Sequence, residues 1–574
     1  MQGLLIAGIN DGHNGAVALL RDGRIEFAWQ EERFTRAKNQ PGFPHNALTV
    51  GLKHIGATLA DVDIFAVASN YPVRLPASVE EELQGYAQRS AVRGSLRKLL
   101  VQTPMGAAVY RRRQAARMEA LLKKRLPREK LRFYDHHACH AATAFYGSGR
   151  SDRRVLIITS DGAGDGLSGT VYVGQHGKLE RQASIPEADS LGLVYTTSTV
   201  LLGMLPNDHE YKVMGLAPYG VSPHAQALAE RLLAWIDPPR PGELVYRRRR
   251  GAPSFFRCYD ALRALYERAR FDHIAAAAQT FLETVLVQWV EHCVRETGIH
   301  DVLLSGGVFM NVKANQKIMN SPLVEDLYIV PSCGDETNAF GAAYLAQIEN
   351  GRAAPEPIGP LYYGPSVGAA QAIETTAAAL GSGRYRVHRP AQMAAEIARL
   401  LADGQIVARV AGREEFGARA LGNRSLLADP SQPGVVREIN AAIKRREFWM
   451  PFACSVLEER AADYILNPKG IAASYMMLAF DSTARWHEIQ AGLHPHDRTV
   501  RPQLVQREFN PDYHDVLKAF ASVTGRGALL NTSFNLHGEP LVSSARDAVD
   551  LLRRSELKWL VLEHLLIEKL ERSA

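Results

Sequence analysis

The chain has 574 residues, too many for one hydrophobic core, and this length predicts three or four folding units in two or three domains. Its hydrophobic content of 46% and aromatic content of 8% are typical of a globular enzyme, and a net charge of +6 excludes a general nucleic-acid field. The five cysteines show no CxxC spacing, and no run approaches the roughly 20 apolar residues that span a bilayer, so we expect reduced thiols in a cytoplasmic protein.

The same pattern of strands and turns occurs twice in the first third of the chain. The first copy has apolar runs at 4–9, 16–20 and 24–29, with Asp11-Gly12-His13 after its first run. The second has runs at 155–159, 169–173 and 178–183, with the Gly/Asp-rich segment 160–166 after its first run. Each copy predicts a strand, a Gly/Asp turn, a strand, a tight turn and a strand. Glycines in such a turn let backbone N–H groups approach an anion, so Gly12 and Gly162 are candidate nucleotide contacts. Two ordinary surface hairpins are the alternative. The matched pair favours duplicated phosphate-binding subdomains, which resemble the actin-like and sugar-kinase-like ATPases.

The remaining elements alternate between helices and strands. Residues 76–130 are predicted to be helical and strongly basic; further helices are predicted near 46–55, 191–202, 224–235, 272–297, 311–319 and 336–349, with strands at 132–134, 301–304 and 327–330. Gly and Pro enrichment at 351–365 predicts a linker. We therefore expect one domain over 1–350 and a second α/β domain over 366–574, with helices near 391–403, 435–443 and 545–555.

His136 and His140 lie four residues apart, where a predicted strand gives way to a helix. That spacing puts both rings on one helix face, close enough to share a metal, although a lone histidine pair is more often structural. Asp335 precedes another predicted helix and is either a simple N-cap or a third ligand. Two imidazoles and one carboxylate leave coordination positions open for substrate, as in non-haem Fe(II) and catalytic zinc sites.

Two other segments contain candidate phosphate contacts. Ser305, Gly306, Gly307 and Asn311 lie in a predicted strand, Gly-Gly turn and helix, a geometry that points backbone donors at an anion and predicts a third nucleotide contact. Lys212, in the compact segment 210–220, is either a further phosphate contact or a solvated lysine on a loop.

Arginines among small residues characterise the downstream domain, notably at 412–425 and 444–447. Arginine forks bind phosphate bidentately, and Thr or Ser hydroxyls complete such pockets. Polar and apolar positions here do not sort by helical period, which favours an anion pocket over a solvated basic face, although some of these arginines must be structural.

These segments resemble the O-carbamoyltransferase family of nodulation-factor, cephem and tobramycin biosynthesis. The matching pieces run from end to end of the chain: DGH at 11–13, ERF at 32–34, HxxxH at 136–140, EYKVMGLAPYG at 210–220, SGGV at 305–308, GD at 334–335, EFGARALGNRS at 415–425 and LLNTSFN at 529–535. The resemblance implies an N-terminal domain of the actin-like ATPase fold, similar to the tRNA threonylcarbamoyl-transfer enzyme. It also implies a C-terminal domain similar to threonylcarbamoyl-adenylate synthase.

The resemblance further implies an activity. Carbamoyl phosphate and ATP would form carbamoyl adenylate in the C-terminal domain, and a metal-assisted N-terminal site would transfer the carbamoyl group to a hydroxyl of a small natural product, as in antibiotic biosynthesis. The implied metal is Fe(II), or another divalent ion, on His136, His140 and Asp335, with Mg²⁺ as an additional candidate. His13 or Asp161 is expected to act as general base.

An arginine-lined pocket is what capture of a small, labile anion such as carbamoyl phosphate requires. The residues expected there are Arg419, Arg424, Lys444, Arg446, Arg501, Thr532 and Ser533. Where the family commonly reads Arg-Glu-Pro-Phe-Arg-Pro-Phe, this chain has Met450 in place of the second arginine, so that role must be absent or carried elsewhere. Lys212 is grouped with the catalytic candidates.

Two rival functions share parts of the pattern. A tRNA threonylcarbamoyl-type enzyme would grip RNA with the basic runs at 111–113, 123–125 and 247–250, but no aromatic residues interleave with them. A non-catalytic actin-like nucleotide-dependent scaffold would need no metal ligands. We therefore expect no nucleic-acid or membrane partner, while family precedent points weakly to a homodimer. The sequence does not identify the acceptor alcohol; by elimination, the loops around 70–110 and 240–256 are expected to shape its pocket.

Overall fold

The computed structural model describes residues 3–71, 79–88, 115–380 and 383–570. The chain divides into two compact units, and each is made of separate segments. The first unit comprises Met1–Glu26, Pro41–Leu48 and Ile55–Ile358, and the second comprises Phe27–Gln40, Thr49–His54 and Gly359–Ala574. Of the predicted basic helical region 76–130, the helices Val79–Gln88 and 115–123 are described, and the basic run at 111–113 lies outside the described residues.

Two five-stranded sheets in the first part of the chain have the same topology. The strands of this part are β1 (Leu5–Asn10), β2 (Ala16–Arg21), β3 (Arg24–Gln30), β4 (Ile64–Ala68), β5 (Leu131–Tyr134), β6 (Val155–Gly164), β7 (Leu167–Gln175), β8 (Lys178–Pro186), the short pair β9 (Ile236–Asp237) and β10 (Arg247–Arg248), β11 (Asp301–Ser305) and β12 (Asp326–Ile329). The sheet orders are β3-β2-β1-β4-β5 and β12-β11-β6-β7-β8. β1 pairs antiparallel with β2 and parallel with β4, as β6 does with β7 and β11. This repetition confirms the predicted duplication and the actin-like ATPase fold.

Small residues allow the helices to pack closely in the first unit. A Cβ on Gly8 of β1 would lie 1.9 Å from the carbonyl oxygen of Ala339, in the helix Asn338–Glu349. A Cβ on Gly341 of the same helix would lie 1.9 Å from the carbonyl oxygen of Cys139. Overlap at that distance excludes any larger residue, so the helices that follow Asp135 and Asp335 cross at backbone contact.

The second Gly/Asp segment differs from the predicted turn. β6 continues through Gly162 to Gly164, and the reversal is confined to Asp165 and Gly166. The pairing of β6 with β7 shifts register between Ser160 and Gly164. Such an irregularity inserts unpaired residues and bends the strand, so this segment is a distorted strand and not an open loop.

One eight-stranded sheet forms the centre of the second unit. Its strands, with the small pair β17–β18, are β13 (Tyr385–His388), β14 (Val407–Val410), β15 (Arg424–Ala428), β16 (Ala453–Leu457), β17 (Phe480–Asp481), β18 (Thr499–Val500), β19 (Pro502–Val505), β20 (Ala528–Ser533), β21 (Trp559–Leu562) and β22 (Leu565–Lys569). The order is β13-β22-β21-β14-β15-β20-β16-β19. Apolar clusters cover both faces of this sheet. Consecutive strand residues point to opposite faces, and the neighbours Leu426 and Leu427 belong to different clusters.

The helices lie close to their predicted positions, with ends that differ by a few residues. The α-helices of four residues or more in the described ranges are Glu32–Thr35, His45–His54, Val79–Gln88, 115–123, His136–Gly147, Leu191–Leu201, Glu210–Leu216, Pro223–Leu233, Tyr259–Tyr266, Phe271–Thr297, Val312–Asn320, Asn338–Glu349, Ala370–Ala378, Met393–Ala402, Val435–Ile439, Ala461–Tyr464, Pro511–Thr524 and Ala545–Arg554. A π-helical turn, Asn440–Lys444, follows Val435–Ile439. Within the described ranges, none of the helices has the length and apolar character that a membrane crossing requires.

The early segment Phe27–Gln40 is built into the second unit by hydrogen bonds. Trp29 donates its indole N–H to Glu414 Oε2 at 3.0 Å, and the backbone N–H of Ala28 donates to the carbonyl of Tyr363 at 3.2 Å. The guanidinium of Arg36 donates to the carbonyl oxygens of Pro540, at 2.9 Å, and Leu541. No shift in composition marks this segment in the sequence.

Candidate functional site

The helix His136–Gly147 begins at Asp135, whose side chain accepts a hydrogen bond from the Ala138 N–H at 2.8 Å. This cap fixes the start of the helix, so that His136 and His140 emerge one turn apart on one face, as their spacing predicts. Their ring centroids lie 4.8 Å apart, and both side chains are buried. The structure thus brings the two histidines together at the end of β5.

Two carboxylates face these rings. His136 Nε2 lies 3.0 Å from Asp161 Oδ2 and 3.6 Å from Asp335 Oδ1, and His140 Nε2 lies 3.6 Å from each of the same oxygens. One ligand atom from each of the four residues lies within 4.8 Å of all the others. The sequence suggested Asp161 as a general base, whereas the structure places its carboxylate among the candidate metal ligands. We refer to these four residues as the histidine–aspartate cluster.

The two carboxylates of the cluster raise the pKa of both imidazoles. Burial lowers the pKa of the His136 imidazole, but the carboxylates of Asp335 and Asp161 outweigh burial and raise it to about 9. The pKa of His140 is also raised, because hydrogen bonds that its imidazole donates to the same carboxylates outweigh burial. Burial raises the pKa of Asp161, yet the two imidazoles bring it well below its usual range. The carboxylates thus provide negative charge that either a proton on an imidazole or a divalent cation would neutralise.

The Ser305–Gly307 turn contacts this cluster. Ser305 Oγ lies 3.3 Å from His140 Nδ1, and the Gly307 N–H donates to Asp161 Oδ1 at 3.2 Å. Gly306 has φ +106°, and a Cβ there would lie 2.2 Å from the carbonyl oxygen of Ser160. These three residues were predicted to contact a nucleotide; that role stays a prediction, while the structure gives them contacts around the candidate ligands.

The other predicted residues of the first unit lie in different settings. Asn311 caps the helix Val312–Asn320 and exchanges hydrogen bonds with Gln279 at 2.9 Å, so its amide has a structural role. Lys212 is buried in the helix Glu210–Leu216, which excludes the alternative of a solvated loop lysine. His13 and Gly12 lie in the turn between β1 and β2, with the imidazole partly exposed.

Several contacts around the cluster carry no motif signal. Ser69 Oγ lies 3.2 Å from His136 Nδ1, and Asn338 Nδ2 lies 3.2 Å from His140 Nε2. The Asp165 carboxylate accepts the His136 N–H at 2.9 Å and the Asn70 N–H at 2.8 Å. Only Asp165, as part of a Gly/Asp-rich run, had a signal that could have drawn attention to it.

Five cations lie together in the second unit: Lys38, Arg419, Lys444, Arg446 and Arg501. Burial lowers the pKa of Arg501 well below its ordinary range, and the charges of Arg419 and Arg446 lower it further. Burial likewise lowers the pKa of Lys444, and Arg446 and Lys38 add to the effect. Within the described residues, neither Arg501 nor Lys444 has an ion-pair partner, and Arg501 Nε is buried without a hydrogen bond. We refer to these residues as the cation cluster.

Hydroxyl and amide groups surround Lys444 at the end of the π-helical turn. Its ammonium group donates to Ser533 Oγ at 3.0 Å, to the Asn535 carbonyl at 3.2 Å and to Asn535 Oδ1. Thr532, also predicted for this pocket, is buried in β20. Met450, at the position where arginine is usual, is buried as well. π-Helical turns are often found at functional sites.

Arg424 does not belong to the cation cluster. It is fully buried, and its guanidinium donates to the carbonyl oxygens of Ser543, at 3.2 Å, Ala411, at 3.0 Å, Asn423, at 2.9 Å, and Gly412, at 3.3 Å. Because backbone carbonyls occupy the guanidinium, the structure corrects the prediction that Arg424 binds carbamoyl phosphate: this arginine holds the backbone of its own turn.

Three of the four arginines in the basic run 247–250 lie beside carboxylates. Arg247 pairs with Glu243 at 3.1 Å, Arg248 with Asp189 at 3.3 Å and Arg249 with Asp237 at 2.8 Å. Since each of these guanidiniums faces a carboxylate, the run gives no support to RNA binding. Most of the loop 70–110, which was expected to shape the acceptor pocket, lies outside the described residues.

Comparison with known proteins places this arrangement in a family. Residues 5–344 match the family model of the carbamoyltransferase N-terminus, and residues 398–569 match that of the carbamoyltransferase C-terminus. Among solved structures, full-length HypF in its phosphate- and nucleotide-bound form is 13% identical with a TM-score of 0.33, covering 60% of this chain and 56% of HypF.

Two curated relatives extend over most of the chain. The nodulation protein NolNO of Sinorhizobium fredii is 34% identical over 97% of this chain and 79% of its own length. The nodulation protein NolO of Bradyrhizobium diazoefficiens is 37% identical over 76% of this chain and 79% of its own length. The chain therefore belongs to the carbamoyltransferase family and is an enzyme of that family.

Proposed function

We propose that this carbamoyltransferase uses ATP to activate carbamoyl phosphate in its second unit and transfers the carbamoyl group to a hydroxyl of a small natural product in its first unit. The overall activation consumes carbamoyl phosphate, ATP and water and yields carbamoyl adenylate, pyrophosphate and phosphate. Transfer then forms the carbamate ester and releases AMP and the hydroxyl proton. The observation that carries this proposal is the cation cluster.

The cation cluster supports the activation step by its charge. Arg501 and Lys444 are buried beside other cations and have no acidic partner among the described residues, an arrangement that is costly for a protein with no anion to bind. Carbamoyl phosphate and the ATP phosphates supply the missing negative charge. Ser533, which contacts the Lys444 ammonium at 3.0 Å, is placed to bind a phosphate oxygen with it.

The histidine–aspartate cluster supports the transfer step. Two imidazole nitrogens and two carboxylate oxygens are the donor types that Fe(II), Zn²⁺ and Mn²⁺ accept, so the four residues suit a divalent ion. Bound there, the ion would polarise the carbamoyl carbonyl as a Lewis acid. Because Asp161 is proposed as a ligand, His13 is the remaining candidate for accepting the hydroxyl proton.

The experiment combines both half-reactions in the purified full-length chain. The protein is incubated with ATP and carbamoyl phosphate, first alone and then with a panel of aminoglycoside, cephem, macrolactam and glycan alcohols. AMP and pyrophosphate release report activation, and mass spectrometry reports the gain of one carbamoyl unit. We expect activation without an acceptor and a mass gain on one class of alcohol.

Variants separate the two sites. His136→Ala is expected to abolish transfer yet leave most of the activation, and Arg501→Met is expected to reduce activation. His224→Ala, which alters an exposed histidine, serves as the matched control and should change neither. ATP left untouched in the presence of carbamoyl phosphate, or equal loss of both steps in a folded His136→Ala protein, would contradict the proposal.

A further inference from the structure

Each histidine of the histidine–aspartate cluster has a buried serine hydroxyl behind it. Ser69 Oγ lies 3.2 Å from His136 Nδ1, and Ser305 Oγ lies 3.3 Å from His140 Nδ1. Ser69 is 4% exposed and Ser305 is fully buried. The two serines come from different strands, since Ser69 follows β4 and Ser305 ends β11. Two independent chain segments therefore provide the same contact to the two rings.

We propose that Ser69 and Ser305 are positioning residues for the metal centre of the proposed function, on which this inference rests. Nε2 of each histidine faces the carboxylates and must be free of its proton to bind a metal, so Nδ1 carries the remaining proton. The serine oxygen accepts that proton in a hydrogen bond. The contact fixes both the tautomer and the orientation of the ring, the role that outer hydrogen-bond partners have around metal-binding histidines.

The backbone holds Ser69 in an unusual conformation. Its φ of +70° lies in the left-handed region, which few residues other than glycine adopt. The Arg117 guanidinium donates to the carbonyl oxygens of Ser69, at 2.6 Å, and Ala68, at 2.9 Å, and to Asp11 Oδ2 at 2.9 Å. A buried arginine thus ties this conformation to the first Gly/Asp turn, and the hydroxyl is directed to His136 by that restraint.

The turn after β11 holds Ser305 in a comparable way. The Gly306 N–H donates to the carbonyl of Cys333 at 3.0 Å, two residues before Asp335. The Gly307 N–H donates to Asp161 Oδ1 at 3.2 Å. The same turn therefore holds the Ser305 hydroxyl beside His140 while its two glycine N–H groups contact Asp161 and the backbone before Asp335, so the hydroxyl is fixed relative to the rest of the cluster.

Metal affinity measured without turnover tests this role. Wild-type protein and the variants Ser69→Ala, Ser305→Ala and the double variant are stripped with a chelator and titrated with Co(II), followed by the visible absorption of the bound ion. Each single variant should weaken Co(II) binding by about 10- to 100-fold and change the absorption bands. Ser198→Ala is the matched control, because Ser198 is equally buried and donates to the Val194 carbonyl at 2.8 Å. Its Co(II) affinity should not change.

The outcomes distinguish this inference from the proposed function. If the wild-type protein binds no Co(II), the metal centre itself is refuted, and this inference with it. If the wild type binds Co(II) and both serine variants bind it with the same affinity and spectrum, only the positioning role is refuted. Lower melting temperatures with unchanged Co(II) affinity would also refute it, because they indicate a role in stability alone. Should Ser69→Ala fail to fold, Ser305→Ala decides the question.

Discussion

Substituting Arg501 by methionine should make the unliganded protein more stable and bind phosphate less well. Arg501 has no acidic partner among the described residues, and the charges of Arg419 and Arg446 repel its guanidinium. Its charge therefore raises the free energy of the folded protein when no anion is bound. Replacing a buried charged group by an apolar one of similar size stabilises by about 1–4 kcal/mol. A gain of about 2 kcal/mol raises the melting temperature of a unit of this size by about 4–8 °C.

The loss of phosphate binding follows from the same charge. A hydrogen bond from a charged donor contributes about 1.5–3 kcal/mol, so phosphate affinity should fall by about 10- to 100-fold. Thermal unfolding with and without inorganic phosphate measures both effects. Arg526→Met is the matched control, because Arg526 pairs at 2.6 Å with Asp429, which is 2% exposed. Leaving that carboxylate unpaired should destabilise by about 3–5 kcal/mol without a change in the phosphate response. If Arg501→Met unfolds at a lower temperature and phosphate protects it as in the wild type, Arg501 is a structural residue and the reasoning fails.

Three further predictions concern other parts of the chain. Gly164→Ala should abolish Co(II) binding, because the added Cβ would lie 2.2 Å from the His136 ring. Gly162→Ala is the control and should bind Co(II) normally, because a Cβ there would have no atom within 4 Å. Metal titration that finds no difference between the two variants would contradict this. Burial lowers the pKa of Lys444, and a bound anion should raise it. Phosphate binding should therefore take up a proton, and phosphate affinity should fall as the pH rises toward the ordinary lysine pKa of about 10.4. Calorimetry in buffers of different ionisation enthalpy measures the proton uptake, and its absence would argue against Lys444 as a phosphate contact. Glu414→Gln should destabilise the second unit by about 1–3 kcal/mol, since buried Arg33 then keeps only one of its two carboxylate partners, Glu32 at 3.4 Å; chemical denaturation with an unchanged midpoint would refute that.

Local spacing was the information from which the first-unit site could be predicted. The i, i+4 interval of His136 and His140 fixes a common helix face wherever the helix lies, and the cap at Asp135 sets its start. The repeated strand pattern predicted the duplicated sheets, whose order places Asp335 after a strand near the histidines. The approach of Asp161 to the two histidines could not be predicted in the same way, because it lies in the segment of β6 where the register shifts, and strand pairing of this kind leaves no periodic signal in the sequence.

Composition was a weaker guide in the second unit. It predicted the same role, binding of carbamoyl phosphate, for Arg424 and Arg501, although carbonyl oxygens surround Arg424 and other cations lie beside Arg501. The difference arises from the turn that encloses Arg424, a long-range feature. Lys38 carried no signal at all, because it approaches Lys444 across a sequence separation that spans most of the chain.

The second unit draws one of its parts from the beginning of the chain, and this has a consequence for synthesis. Arg36 and Leu541, which are hydrogen-bonded to each other, are 505 positions apart. At about 5–20 residues per second, a ribosome needs about 25–100 s to make the later partner after the earlier one has emerged. The indole of Trp29 has a shorter wait: its partner Glu414 lies 385 positions later and is made after about 19–77 s at the same rate. A gene fragment that begins at Gly359 would encode a unit without this tryptophan and arginine, and dividing the enzyme for separate expression requires that residues 27–40 and 49–54 be supplied with the downstream half.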